Sequence, residues 1–170
     1  MMNLKRLLLT LPLLFSSCQN RGETDENSPY FVIPSGSRLV LHQSVTIPAF
    51  AAAIYLQGGQ WLPWPQVSRY HPHCKFELRE PKNAPQTITA DEFVIARTGT
   101  ETETQEGLQI QVRVLELQSA RQPLVSRLSC AVWQTPATGQ PVSGRELREA
   151  LGNLFTLELA GRAPAAGQRR

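Results

Sequence analysis

The chain has 170 residues with 17 basic and 14 acidic side chains, and 41% of it is hydrophobic. Beyond residue 17 the balance is 15 basic against 14 acidic, and no run of Lys or Arg exists apart from the terminal Arg169-Arg170, so the electrostatic footprint of a nucleic-acid binder is excluded. The three cysteines form no Cys-x-x-Cys pair, which excludes a thioredoxin-like redox centre.

In chain order, Lys5-Arg6 forms a short positive segment, residues 7–15 (LLLTLPLLF) an apolar one, and Ser16-Ser17 a small-residue end. The apolar run is too short to span a hydrocarbon core of roughly 30 Å, and the layout is that of a secretory signal over 1–17. Leu14-Phe15-Ser16-Ser17-Cys18 resembles the lipobox of bacterial lipoproteins, with Phe15 where leucine is usual. The resemblance implies cleavage before Cys18, acylation of Cys18 and attachment to a membrane. Gln19 after the cysteine resembles lipoproteins sent to the outer membrane, facing the periplasm.

Residues 18–29 carry no large apolar side chain after the cysteine and are expected to form a flexible tether. Residues 30–160 suffice for one core, and 161–170 (GRAPAAGQRR) read as a disordered tail. Within the domain, 38–47 (RLVLHQSVTI) reads as one strand, or as two joined by a bend near Gln43-Ser44. Residues 51–57 resume extended structure up to Gly58-Gly59, a hairpin turn. Cys74, Phe76 and Leu78 alternate on one face of 74–79, and 93–98 is a further strand. The Thr-Glu alternation of 99–107 carries it toward 108–114 as a long, exposed hairpin. In 108–114 the β-branched residues share one face. Leu115 then breaks the phase, through a bulge or through coverage on both faces.

Residues 128–132 place Cys130 on the face of Leu128 and Val132. Both remaining cysteines thus lie on apolar strand faces, and a Cys74–Cys130 disulfide is expected in an oxidising compartment. Ser143 and Glu146 form a capping box for a helix over 144–151, stopped at Gly152, and 154–159 reads as a closing strand. The fold class is all-β or mainly β: a small sandwich or partly open barrel with one short C-terminal helix.

Candidate chemistry is sparse. His71 and His73 beside Cys74 could serve Cu or Zn, but His42 is the only other histidine and the expected disulfide removes the thiolate. No metal or other cofactor is therefore assigned. A Gly-x-Ser-x-Gly motif is absent, and Asp91-Glu92 would point to opposite faces of a strand, so no catalytic residues are assigned. A periplasmic Cu- or Zn-binding lipoprotein using His71 and His73, and an envelope enzyme with a noncontiguous site, stand as alternatives. Trp61 and Trp64 with Tyr70 concentrate aromatic area in a proline-rich stretch, which either caps the open end of the core or anchors a partner. The expected role is a non-catalytic binding or structural one, with an envelope protein or wall material as partner.

Overall fold

The computed structural model describes residues 23–134 and 139–161. The signal, Cys18 and the tail after Gly161 lie outside them. The sheet strands are β1 (Arg38–Leu41), β2 (Val45–Ile47), β3 (Ala53–Gln57), β4 (Gln60–Leu62), β5 (His73–Leu78), β6 (Gln86–Ile88), β7 (Asp91–Gln105), β8 (Leu108–Gln118), β9 (Val125–Ala131) and β10 (Phe155–Glu158), with one helix, α1 (Gly144–Leu151), before the last strand. Eight strands form one antiparallel sheet in the order β10-β1-β7-β8-β9-β5-β3-β4, and β2 and β6 form a separate ribbon.

Ring contacts show how far the sheet curls. At about 4.8 Å per strand, a flat sheet would hold β5 and β10 roughly 24 Å apart. Phe76 on β5 and Phe155 on β10 instead have ring centroids 5.5 Å apart. Trp61 on β4, at the far edge of the sheet, also reaches Phe155 at 5.8 Å. The sheet is a curled, open half-barrel whose edges β10 and β4 approach without pairing.

Helix α1 packs between these edges, against β3, β5 and β10. Ser143 accepts from the Glu146 amide while the Glu146 carboxylate accepts from the Ser143 amide, the reciprocal cap expected from the sequence. Leu147, Ala150 and Leu151 bury the helix's apolar stripe. The chain bends at 42–44, and β2–β6 carries on the β1–β7 ladder as a ribbon that places Val45, Ile47 and Ile88 in the core.

Three findings refine the sequence reading. The phase break at Leu115 is coverage on both faces. Leu115 and Leu117 enter the main core, while Ile110, Val112 and Val114 pack with Trp133 in a second cluster. The bulge lies in the neighbouring strand, between Ile95 and Arg97. Arg113, polar by alternation, is 5% exposed. Its guanidinium donates to the carbonyls of Val142 (2.7 Å), Phe31 (2.9 Å) and Pro29 (2.8 Å), so each of its three nitrogens holds a backbone acceptor on the core side.

The third finding concerns residues 23–29, expected in the tether, which fold onto the domain. The Val32 amide donates to the Glu23 carbonyl (3.1 Å), the Arg145 amide to the Glu26 carbonyl (2.8 Å), and Arg148 pairs with the Glu26 carboxylate (2.9 Å). Composition misleads here because the segment is held through its carbonyls and the Glu26–Arg148 ion pair rather than by apolar side chains. Only 18–22 of the expected tether lie outside the described residues.

Candidate functional site

The strands β5 and β9 are direct neighbours, with Cys74 opposite Cys130, and the two are joined by a disulfide in the core. This cross-link braces the strands beneath the loop of residues 63–72. The loop starts with a 3-10 turn, Trp64–Gln66. The Gln57 carboxamide then grips it as a peptide group would, donating to the Ser68 carbonyl (2.8 Å) and accepting from the Ser68 amide (3.0 Å). The Trp133 amide donates to the Arg69 carbonyl (2.8 Å), and Val67 is buried beneath.

The structure separates the three aromatic residues singled out in the sequence. Trp61 turns inward, with its ring against Phe76 and Phe155, and caps the core. Its indole N–H is buried without a hydrogen-bond partner among the described residues. Trp61 is therefore removed from the candidate surface: its position on the edge strand β4 directs the ring over the gap between the sheet's ends. Trp64 lies outside, 38% exposed, against Tyr55 (4.8 Å between centroids) and near His73 (6.0 Å). Tyr70 is 72% exposed and stands edge-on to Trp133 at 6.1 Å.

Two residues that the sequence reading left out complete this surface. The Arg69 guanidinium lies 4.3 Å from the Trp133 ring centroid and forms a 2.7 Å ion pair with Glu106 at the β7–β8 hairpin tip. Trp133 itself packs against Ile110, Val112 and Val114. Neither was legible as part of a site, because Arg69 reads as an ordinary loop cation and Trp133 lies outside the aromatic run. The result is an aromatic mount, Tyr55–Trp64–His73 and Trp133–Tyr70–Arg69, in which the exposed rings lie beside the buried His73 and Trp133 and the half-buried Tyr55 and Arg69.

The histidines serve structural ends. His71 Nδ1 pairs with Ser68 Oγ (2.9 Å), and His73 Nδ1 with the His71 carbonyl (2.9 Å). Burial lowers the His73 pKa and the hydrogen bond to His71 opposes it, so the ring is neutral at pH 7. His42 bonds Thr156 on β10. Among the described residues, no group of three or more His, Cys, Asp or Glu side chains is placed to hold a metal ion.

Glu77 on β5 is 8% exposed and faces the same outer side as His73. Burial would raise its pKa, but hydrogen bonds from Lys75 and Ser129, with the charges of Lys75 and Arg127, outweigh burial and hold it below the ordinary 4.5. With both oxygens occupied by Lys75, Ser129 and Arg127, the carboxylate braces β5 against β9.

A shallow, open cleft of about 630 Å³ lies elsewhere, lined in part by Arg79, Asp91, Val94, Ser119 and Arg121. Asp91 accepts from Ser119 Oγ (2.7 Å) and pairs with Arg121 (2.9 Å), whereas the adjacent Glu92 pairs with Arg38 (3.1 Å). The two carboxylates thus engage separate partners. Comparison of the chain with protein-family models, curated proteins and solved structures returns no match.

Proposed function

We propose that this chain is a lipid-anchored bacterial envelope protein with a non-catalytic binding or assembly role, meeting its partner through Trp64 and Tyr70. The observation that carries the reading is the mount itself: two exposed rings fixed on a clamped loop above a disulfide-braced pair of strands. Rings ordered before contact lose little conformational freedom on binding, so their apolar area is available to a partner. The lipobox-like Leu14–Cys18 and Gln19 support attachment through Cys18 at the outer membrane, and the Cys74–Cys130 bond suits an oxidising space such as the periplasm. The partner is an envelope protein or wall-associated material.

A photo-crosslinking residue at position 70, introduced into the full chain in intact cells, is expected to capture one reproducible partner. Trp64→Ala should abolish the capture while leaving the thermal midpoint within a few degrees of the parent, since an exposed ring contributes little to folding. Equal capture by the Trp64→Ala variant, or none by the parent, overturns the assignment of this surface.

A further inference from the structure

We infer that the face carrying Tyr30 and Val32 rests on the lipid surface, so that the domain is held in one orientation against the membrane; this rests on the lipid-anchor reading above. Because residues 23–33 are fixed to the body, the anchor at Cys18 is separated from a fixed point, Glu23, by five Cα-to-Cα steps. Fully extended, these reach about 17 Å. A globular domain of some 130 residues is roughly 36 Å across, so a tether under half that width keeps the body close to the membrane with the side at the tether's exit nearest to it.

The location of that fixed point selects the face. The Glu23 carbonyl accepts the Val32 amide directly, so the tether leaves the body beside Val32. The strap alternates: Phe31 and Ile33 are buried, whereas Tyr30 and Val32 are 69% and 49% exposed. Two apolar side chains therefore project beside the tether's exit. Tyrosine suits this place, because its ring favours the hydrocarbon boundary while its hydroxyl remains in water. The Arg113 guanidinium holds the carbonyls of Pro29 and Phe31, on either side of Tyr30, so the residue is rigidly presented.

Charge narrows the lipid. Glu23 and Asp25 are exposed on the strap, and against them stand Arg145 and the tether's own Arg21, while Arg148 is paired with Glu26, so the surface is not a basic patch. A zwitterionic headgroup layer fits it better than an anionic one. Two side chains alone would not retain a protein on a bilayer; the tether supplies the effective concentration that makes their contact persistent.

The mature chain beginning at Cys18 tests this directly, since the disulfide leaves Cys18 as its one free thiol. Coupled at Cys18 to a maleimide lipid in phosphatidylcholine nanodiscs with nitroxide headgroups, the 15N-labelled protein should show, beyond residues 19–29 that lead from the anchor, its strongest amide broadening at residues 30–33. The paired change Tyr30→Ser and Val32→Ser should erase that contrast while the remaining amide spectrum stays unshifted, and anionic lipid should diminish it. Uniform broadening, a maximum elsewhere, or a contrast that survives the paired change would overturn the proposed face. The anchor reading fails separately, if mass spectrometry of the native membrane fraction finds residue 18 unmodified.

Discussion

Arg113 shows best where residue-level reading stops. Alternation over 108–114 assigns the β-branched residues to a buried face and leaves Arg113 on the polar one. In the structure both faces are covered, and the guanidinium lies under the strap with three backbone carbonyls around it. Burial lowers its pKa and the charge of Glu146 opposes this. A guanidinium stays charged in a protein whatever its partners, and here three of its five N–H donors are engaged. No local pattern announces such a residue, since its partners are carbonyls 29 and 82–84 positions away. Replacement should be severe. Arg113→Met would leave three carbonyls short of donors, at roughly 1–3 kcal/mol for each group that water cannot reach, so a loss of at least 3 kcal/mol is expected. Against a domain stability of about 5–15 kcal/mol, the shift should be plain in a urea denaturation curve. Arg113→Lys should recover only part of it, because an ammonium lacks the fork that spans the carbonyls. A loss below about 1 kcal/mol for the Met variant would show that the strap finds other donors.

At the scale of elements, legibility followed the strength of the local pattern. The helix over 144–151 carries its own start, stripe and stop, and its cap is formed by the residues that the sequence marks. Strands β5, β8 and β9 were readable because apolar side chains alternate along them, even though β8 is covered on both faces. The exposed Thr-Glu run also forms the expected hairpin, turning at Glu106-Gly107. Strands β4 and β6, three residues each, were not distinguished, since so short a segment has no measurable period. What sets the helix against the sheet is also nonlocal. The β3–β4 turn meets the end of α1, where the Gly59 amide donates to the Ala150 carbonyl (3.1 Å). A Cβ on Gly152 would stand 2.4 Å from the Gly59 Cα, and Gly152 has φ +51. Gly152→Ala thus adds a backbone clash to left-handed strain, and should cost at least 2 kcal/mol. The substitution should lower the thermal midpoint by several degrees, whereas Ala at the open, exposed position 99 should leave it nearly unchanged. Equal midpoints for the two variants would mean that the helix end and the turn can separate without loss.

For the molecule as a whole, the sheet's curl and its cross-link belong to one design. Eight antiparallel strands that never close leave a core sealed from inside by the β2–β6 ribbon, helix α1 and the inward ring of Trp61. The fold class was legible, but the closure was not, because it depends on contacts between strands at opposite ends of the sheet order. The Cys74–Cys130 bond crosses the centre of this arrangement and closes a loop of about 57 residues, for which the chain-entropy estimate is roughly 4 kcal/mol. Both cysteines are at most 1% exposed, so a reductant in solution cannot reach the sulfurs in the folded protein. Dithiothreitol should therefore leave the native bond intact over the time in which it reduces the urea-unfolded chain, as read by thiol labelling and mass. Once the bond is removed by Cys74→Ala with Cys130→Ala, the urea midpoint should fall by an amount equivalent to about 4 kcal/mol, with added loss from the space left in the core. The β5–β9 ladder would still specify the fold, so the reduced domain should regain a native-like far-ultraviolet spectrum in water. Rapid reduction without denaturant would instead mean that β5 and β9 part locally, and the brace beneath Trp64 and Tyr70 would then be a mobile support rather than a fixed one.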